Sequence, residues 1–227
     1  MNHILITGAN RGIGLEFVRQ YLAKGEHVIA CCRSPEAADD LKRLACPELE
    51  VLPLDVGDES SVKALAGLLK GRTLSVFINN AGVYGQRQGL EDLDSGEWLR
   101  VLEINTIAPL LVTRAILPFM DAKSPAKLVY LSSKMGSIAE NSSGSTYVYR
   151  SSKTALNSVV KSLSIDLAEQ GLLVAALHPG WVRTDMGGPN ALIDTQTSVG
   201  GLIAVIEGLD SSSSGHFYNY DGAEIPW

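Results

Sequence analysis

The chain has 227 residues, 45% of them hydrophobic and 19% charged, with a formal net charge of −6. That composition excludes a disordered chain and predicts one domain, residues 1–227, with a substantial core. An acidic balance without a basic patch argues against nucleic acid as a partner. No apolar stretch stands out as membrane-spanning, and the apolar start lacks the charged n-region of a signal peptide.

Strands are predicted at 4–6, 27–32, 50–54, 74–78, 127–131, 173–177 and 216–219, and helices at 13–24, 36–44, 59–69, 96–120, 148–169 and 199–206. Continuous apolar strands such as Val76-Phe77-Ile78 suit a parallel sheet covered on both faces. Strand and helix alternate to the end, which implies right-handed crossovers. The expected fold is α/β: a single doubly wound Rossmann domain with a seven-stranded parallel sheet flanked by helices on both faces.

The first strand leads directly into Thr7-Gly8-Ala9-Asn10-Arg11-Gly12-Ile13-Gly14. Glycines at this junction let the backbone turn tightly and approach a ligand, while the helix N-terminus offers unpaired N–H groups to phosphate. A purely structural glycine turn is the competing reading. It loses ground because six strand ends carry small, polar or charged residues: Thr7-Gly8, Arg33, Asp55, Asn79-Asn80-Ala81-Gly82, Ser132-Ser133 and His178-Pro179-Gly180. In an open α/β sheet such residues converge on one crevice beyond the carboxyl ends.

Cys31, Cys32 and Cys46 lack metal spacing and histidine partners, so no metal site is expected. Neighbouring cysteines on a strand point to opposite faces and cannot readily pair. Reduced thiols fit a cytoplasmic protein, where the Asn141-Ser142-Ser143 sequon has no use.

Two Tyr-x3-Lys pairs occur. Tyr130 and Lys134 straddle a strand end, where four residues span about 13 Å, so they cannot act together. Tyr149 and Lys153 fall on a helix, where i and i+4 share a face. A tyrosine titrates near 10 unless an ammonium favours its phenolate, so Lys153 is expected to lower the value for Tyr149. In the predicted helix 96–120, Pro109 offers no N–H to the carbonyl of Asn105. That carbonyl is left to hold a water, or merely to mark a kink.

Taken together, Thr7 with Arg11-Gly12-Ile13-Gly14, Asp55, Asn79-Asn80-Ala81-Gly82, Asn105, Ser132-Ser133, Tyr149-x3-Lys153 and Pro179-Gly180-Trp181-Val182-Arg183-Thr184 resemble the short-chain dehydrogenase/reductase family, in its order, along essentially the whole chain. The two chain ends most resemble its C-factor-like and sniffer-like carbonyl reductases.

The resemblance implies reduction of an aldehyde or ketone, with the reverse alcohol oxidation available. Tyr149 would be the proton donor, Lys153 would bind the nicotinamide ribose, and Asn105 would carry a relay water. Ser133 would hydrogen-bond the substrate oxygen, with Ser132 as the competing choice. It also implies cofactor contacts at Gly8, Asn10, Arg11, Gly12, Ile13 and Gly14, at Asp55 and Val56, at Asn80, Ala81 and Gly82, and at Pro179, Gly180, Val182 and Thr184, besides Tyr149 and Lys153. Asp55 would take the adenine amino group and Thr184 the carboxamide. The competing reading of Asp55 is a helix-entry acid, for which Asp58 is better placed.

NAD enzymes usually place a carboxylate at the second strand end. Here neutral Cys32 stands beside Arg33, with Arg11 expected nearby, which favours NADP(H) through guanidinium contacts to a 2′-phosphate. An ordinary solvated charge is the alternative for Arg33.

The loop 185–195 is the expected substrate lid and 85–93 the opposite wall. Apolar helices 96–120 and 148–169 fit a homodimer or homotetramer interface, or equally burial under loops. The alternative function is an NADP(H)-binding signalling or sensor protein of the C-factor type with little turnover.

Overall fold

The computed structural model describes residues 2–86, 89–121 and 125–227. Seven strands form one sheet in the order β3-β2-β1-β4-β5-β6-β7: β1 (Asn2–Thr7), β2 (His27–Cys32), β3 (Leu49–Pro53), β4 (Thr73–Asn79), β5 (Lys127–Leu131), β6 (Leu173–His178) and β7 (Phe217–Asn219). Every pairing is parallel. The order reverses at β1, whose neighbours are β2 and β4, and this is where an open α/β sheet leaves its crevice.

Alternation along each strand divides the interior into two cores. Leu5, Ile29, Phe77, Leu128 and Val174 face one side, together with Val62, Val112 and Leu156 from α3 (Glu59–Leu68), α5 (Ala108–Ile116) and α6 (Tyr147–Asp166). Ile4, Ile6, Val28, Ile78 and Val129 face the other, with Phe17 of α1 (Gly12–Ala23), Leu41 of α2 (Asp39–Lys42) and Leu202 of α7 (Thr195–Gly208). A sheet apolar on both faces requires helices on both. Each fully buried side chain of this size contributes about 1.5–3 kcal/mol.

The expected helix 36–44 is reduced to a 3₁₀ turn, Pro35–Ala37, and the single turn α2. Ala38 between them leaves the helical region at ψ 65°, and Leu41 is the one buried residue of α2. So short an apolar face cannot sustain more turns.

The expected helix 96–120 is divided into α4 (Ser95–Leu102), a π turn over Glu103–Ile107, α5 and a 3₁₀ turn over Leu117–Phe119. Ala108 N–H donates to Glu103 O, five residues back, because Pro109 interrupts the regular ladder. The span Ser95–Phe119 has 25 residues and contains an 18-residue stretch of mean hydropathy 1.4. By length and composition it could cross a membrane, which corrects the sequence expectation. Val101, Val112 and Ile116 from this span are nevertheless buried against the protein's own interior, as in any core helix.

Strand β7 starts at Phe217, not at 216, and α7 begins four residues earlier than predicted, where the Asp194 carboxylate accepts Thr197 N–H. The outer positions Leu99, Ile107, Leu110 and Ile165 on α4–α6 are exposed, so loops do not cover them.

Candidate active site

The glycine turn is built against the loop that follows β4. Thr7 Oγ1 accepts the backbone N–H groups of Asn80 (3.1 Å) and Ala81 (3.0 Å). The Asn80 amide donates to Thr7 O and Gly8 O, each at 2.9 Å. The Asn80 side chain therefore holds the turn in shape. Gly8 has φ +63°, and a Cβ on Gly14 would lie 2.3 Å from Gly8 O. Only glycine closes this turn.

Helix α1 then starts with Arg11 at its N-cap, with no side-chain cap and no acid in its first turn. Helices α3, α4 and α7 are instead capped by Asp58, Asp94 and Asp194. The N–H groups of α1 are thus left for an anion, and the absence of an acid preserves the favourable dipole.

Thr184 lies directly over this turn, its Cγ2 3.5 Å from where a Gly12 Cβ would stand. Its neighbour Asp185 pairs with Arg11 at 2.8 Å. Beyond them the loop folds back on itself, through Trp181 Nε1 to Gly187 O at 2.8 Å and Arg183 N to Ile193 O at 2.9 Å. It carries Val182 buried, Pro179 and Gly180 half-buried, and Gly180 at φ +83°. The opposite wall, 85–93, includes residues 87 and 88, which lie outside the described residues.

At the β2 end Cys32 is buried and Arg33 exposed. The Asp55 carboxylate accepts Gly57 N–H (3.0 Å) and stays exposed, while Asp58 takes the capping role. Asn10 is exposed, and Ile13 and Val56 are half-buried.

Across the crevice, Tyr149 and Lys153 are buried on α6. Lys153 Nζ donates to Leu131 O at 2.9 Å and lies 5.8 Å from the centroid of the Tyr149 ring. The Ser133 side chain lies beside the Tyr149 phenol, close enough to favour its ionised form, whereas Ser132 Oγ donates to Asn157 Oδ1 at 2.5 Å. Of the two serines, Ser133 faces the tyrosine. A Cβ on Gly82 would come within 3.5 Å of Lys153 Nζ, which brings the β4 loop into the same space.

Tyr130 and Lys134 are separated, as the strand geometry predicts. Tyr130 is buried against Thr113, and exposed Lys134 pairs with Glu140.

Burial pushes Tyr149 up to about 12, with the Ser133 side chain working the other way. The sequence expectation that Lys153 lowers it is not met by these residues alone. Lys153 gives its hydrogen bond to Leu131 O and sits beneath the ring, and burial brings its own value down to about 8. Desolvation dominates both values.

Asn105 is fully buried. Its Oδ1 accepts Val83 N–H (2.9 Å), and its Nδ2 donates to Val83 O (2.8 Å) and Ser152 Oγ (3.0 Å). With the side chain so committed, the main-chain carbonyl is what Asn105 has to offer a water.

Sequence reasoning missed four contributors: Thr7 as the double acceptor, Ser152 and Asn157 on α6, and Tyr84, whose ring stacks on Tyr149 at 4.5 Å. Asn157 could have been found four residues beyond Lys153 on the same helix face.

A model of the family described as short chain dehydrogenase matches residues 2–192. The chain belongs to that family. Among its relatives, C-signal from Myxococcus xanthus is 46% identical over 154 residues, 68% of this chain and 93% of that protein. Among solved structures, the carbonyl reductase Sniffer of D. melanogaster is similar at a TM-score of 0.95 and 38% identity, with both chains fully covered. The NADPH-bound carbonyl reductase from chicken fatty liver gives 0.93 and 38%, covering 100% of this chain and 99% of that one.

Proposed function

We propose that this chain is an NADPH-dependent reductase that turns aldehydes or ketones into alcohols, with Tyr149 as general acid. The observation that carries the reading is the buried cluster of Ser133, Tyr149 and Lys153, in which Lys153 Nζ lies beneath the Tyr149 ring. The loop after β4 joins it to the uncapped glycine turn of α1, with Asn80 bonded to Gly8 O and Gly82 beside Lys153 Nζ.

The uncapped N–H groups and the glycine cradle fit a pyrophosphate. Bound there, the nicotinamide cofactor supplies the hydride that reaches the carbonyl carbon. Tyr149 gives its phenolic proton to the carbonyl oxygen, which becomes the alcohol hydroxyl, and Ser133 holds that oxygen by a hydrogen bond. Lys153 binds the ribose hydroxyls and supplies the ammonium that steadies the phenolate left behind. A water on the Asn105 carbonyl connects Lys153 to solvent.

Neutral Cys32 ending β2, with Arg33 next to it and Arg11, paired with Asp185 here, as a second guanidinium, favours the 2′-phosphate, and the NADPH-bound chicken relative supports the same choice. Asp55 takes the adenine amino group and Thr184 the carboxamide. The chain works as one domain in the cytoplasm, with the exposed faces of α4–α6 joining copies into a homodimer or homotetramer.

Similarity to C-signal favours a second reading, an NADP(H)-binding signalling protein with little turnover. Presence of all four of Asn105, Ser133, Tyr149 and Lys153 favours catalysis. The test is NADPH binding measured alongside NADPH consumption over aldehydes, ketones, diketones and quinones. Turnover supports the reductase; tight binding with no turnover on any of them favours the signalling protein.

A further inference from the structure

Tyr149 sits in the first turn of α6, which is weakly fixed by the helix itself. Its N-cap, Thr146, is left-handed at φ 54° and supplies no side-chain cap. The leading N–H groups of a helix have no intrahelical partner. The direction of the phenol depends on its neighbours among the described residues: Ser133 beside the hydroxyl, Lys153 Nζ 5.8 Å from the ring centroid and Tyr84 stacked on the ring face.

Tyr84 is itself held from the catalytic helix. Asn105 grips Val83 through both its N–H and its carbonyl. Asn105 also donates to Ser152 Oγ, and that hydroxyl donates to Tyr149 O at 2.8 Å. Beyond Tyr84 the chain turns away at Gly85, φ +77°, where a Cβ would stand 2.7 Å from Val101 Cγ2. The next residue, Gln86, gives its N–H to Glu97 Oε1 on α4 at 3.1 Å. The circuit closes on itself: Tyr149 backbone, Ser152, Asn105, Val83, Tyr84 and back to the Tyr149 ring at 4.5 Å and 26°.

We infer that Tyr84 is a positioning residue for proton donation: its ring, clamped through Val83 and Asn105 to the catalytic helix, fixes the orientation of the Tyr149 phenol toward the substrate oxygen. This rests on the proposed role of Tyr149 as the acid. An offset aromatic stack holds one ring against another without needing the second hydroxyl, so it is the ring of Tyr84 that does the positioning.

The test is steady-state carbonyl reduction by wild-type protein, Tyr84→Leu, Tyr84→Phe and Tyr149→Phe, with NADPH affinity measured for each. Loss of the stack lowers kcat about three- to tenfold in Tyr84→Leu. NADPH affinity stays within about twofold, and Tyr84→Phe restores most of kcat. An unchanged kcat with a raised substrate KM would reduce Tyr84 to a pocket wall and overturn the inference. So would a Tyr84→Phe as impaired as Tyr84→Leu. If Tyr84→Leu fails to bind NADPH and melts early, Tyr84→Met carries the same comparison. Turnover that survives in Tyr149→Phe removes the assignment of the acid. An inactive Tyr149→Phe beside a Tyr84→Leu of wild-type kcat removes this inference alone.

Discussion

Gly136→Ala isolates the coupling between the serine turn and the catalytic helix. Gly136 ends the 3₁₀ turn Lys134–Gly136 that begins at Ser133, and its carbonyl accepts Thr154 Oγ1 at 2.9 Å and Asn157 Nδ2 at 3.3 Å. Its φ is not positive, so alanine adopts the backbone without strain and the effect is purely steric. The added Cβ would lie 2.8 Å from both the carbonyl carbon and the Cβ of Lys153, and 3.0 Å from Thr154 N. Restoring an ordinary contact separates turn and helix by about 0.6 Å, and Ser133 moves with the turn. Misplacement by about 1 Å costs on the order of 10²-fold in rate, so kcat should fall about 10- to 50-fold. Overpacking of about 1–3 kcal/mol lowers Tm by about 2–10 °C for a chain of this size. The glycine turn of α1 is not touched, so the Kd for NADPH stays within about threefold. Steady-state kinetics, fluorescence titration with NADPH and a thermal melt read all three. A lowered Tm with wild-type kcat would mean that the placement of Ser133 does not matter, and would refute the reasoning.

Lys153→Met should abolish reduction yet stabilise the fold at pH 7. Burial holds Lys153 near 8 against an ordinary 10.5, so below 8 the folded state carries a desolvated ammonium that the unfolded state hydrates. Stability rises with pH between about 8 and 10.5 in the wild type, and the variant should melt about 2–8 °C higher at pH 7 but not at pH 10.5; a lower melt at pH 7 would contradict this. Cys32→Asp places a carboxylate at the β2 end, against a 2′-phosphate and in favour of a 2′-hydroxyl. The ratio of kcat/KM for NADPH over NADH should fall about 10- to 100-fold, and an unchanged ratio would remove Arg11 and Arg33 as the selecting pair.

The parallel sheet, its strand positions and the crevice were legible because apolar runs and the polar residues ending them are local signals. The choice of Tyr149–Lys153 over Tyr130–Lys134 was legible too, since strand and helix geometries differ so widely over four residues. What stayed hidden depends on contacts between distant elements. Asn80 reads as a ligand contact in a motif, yet its amide is spent on Thr7 and Gly8, 73 and 72 residues away in the chain. Pro109 signals a break, but not that a π turn absorbs it. Ser132 and Ser133 are indistinguishable until Asn157 claims the first. The position of Lys153 beneath the ring follows from its bond to Leu131 O, which no spacing along α6 discloses.

The most direct test of the account is NADPH-dependent reduction by wild-type protein and Tyr149→Phe on the same carbonyl substrate. With Tyr149 as the general acid, kcat falls about 10²–10⁴-fold in the variant while NADPH binds as before. Turnover retained in Tyr149→Phe would contradict the central claim.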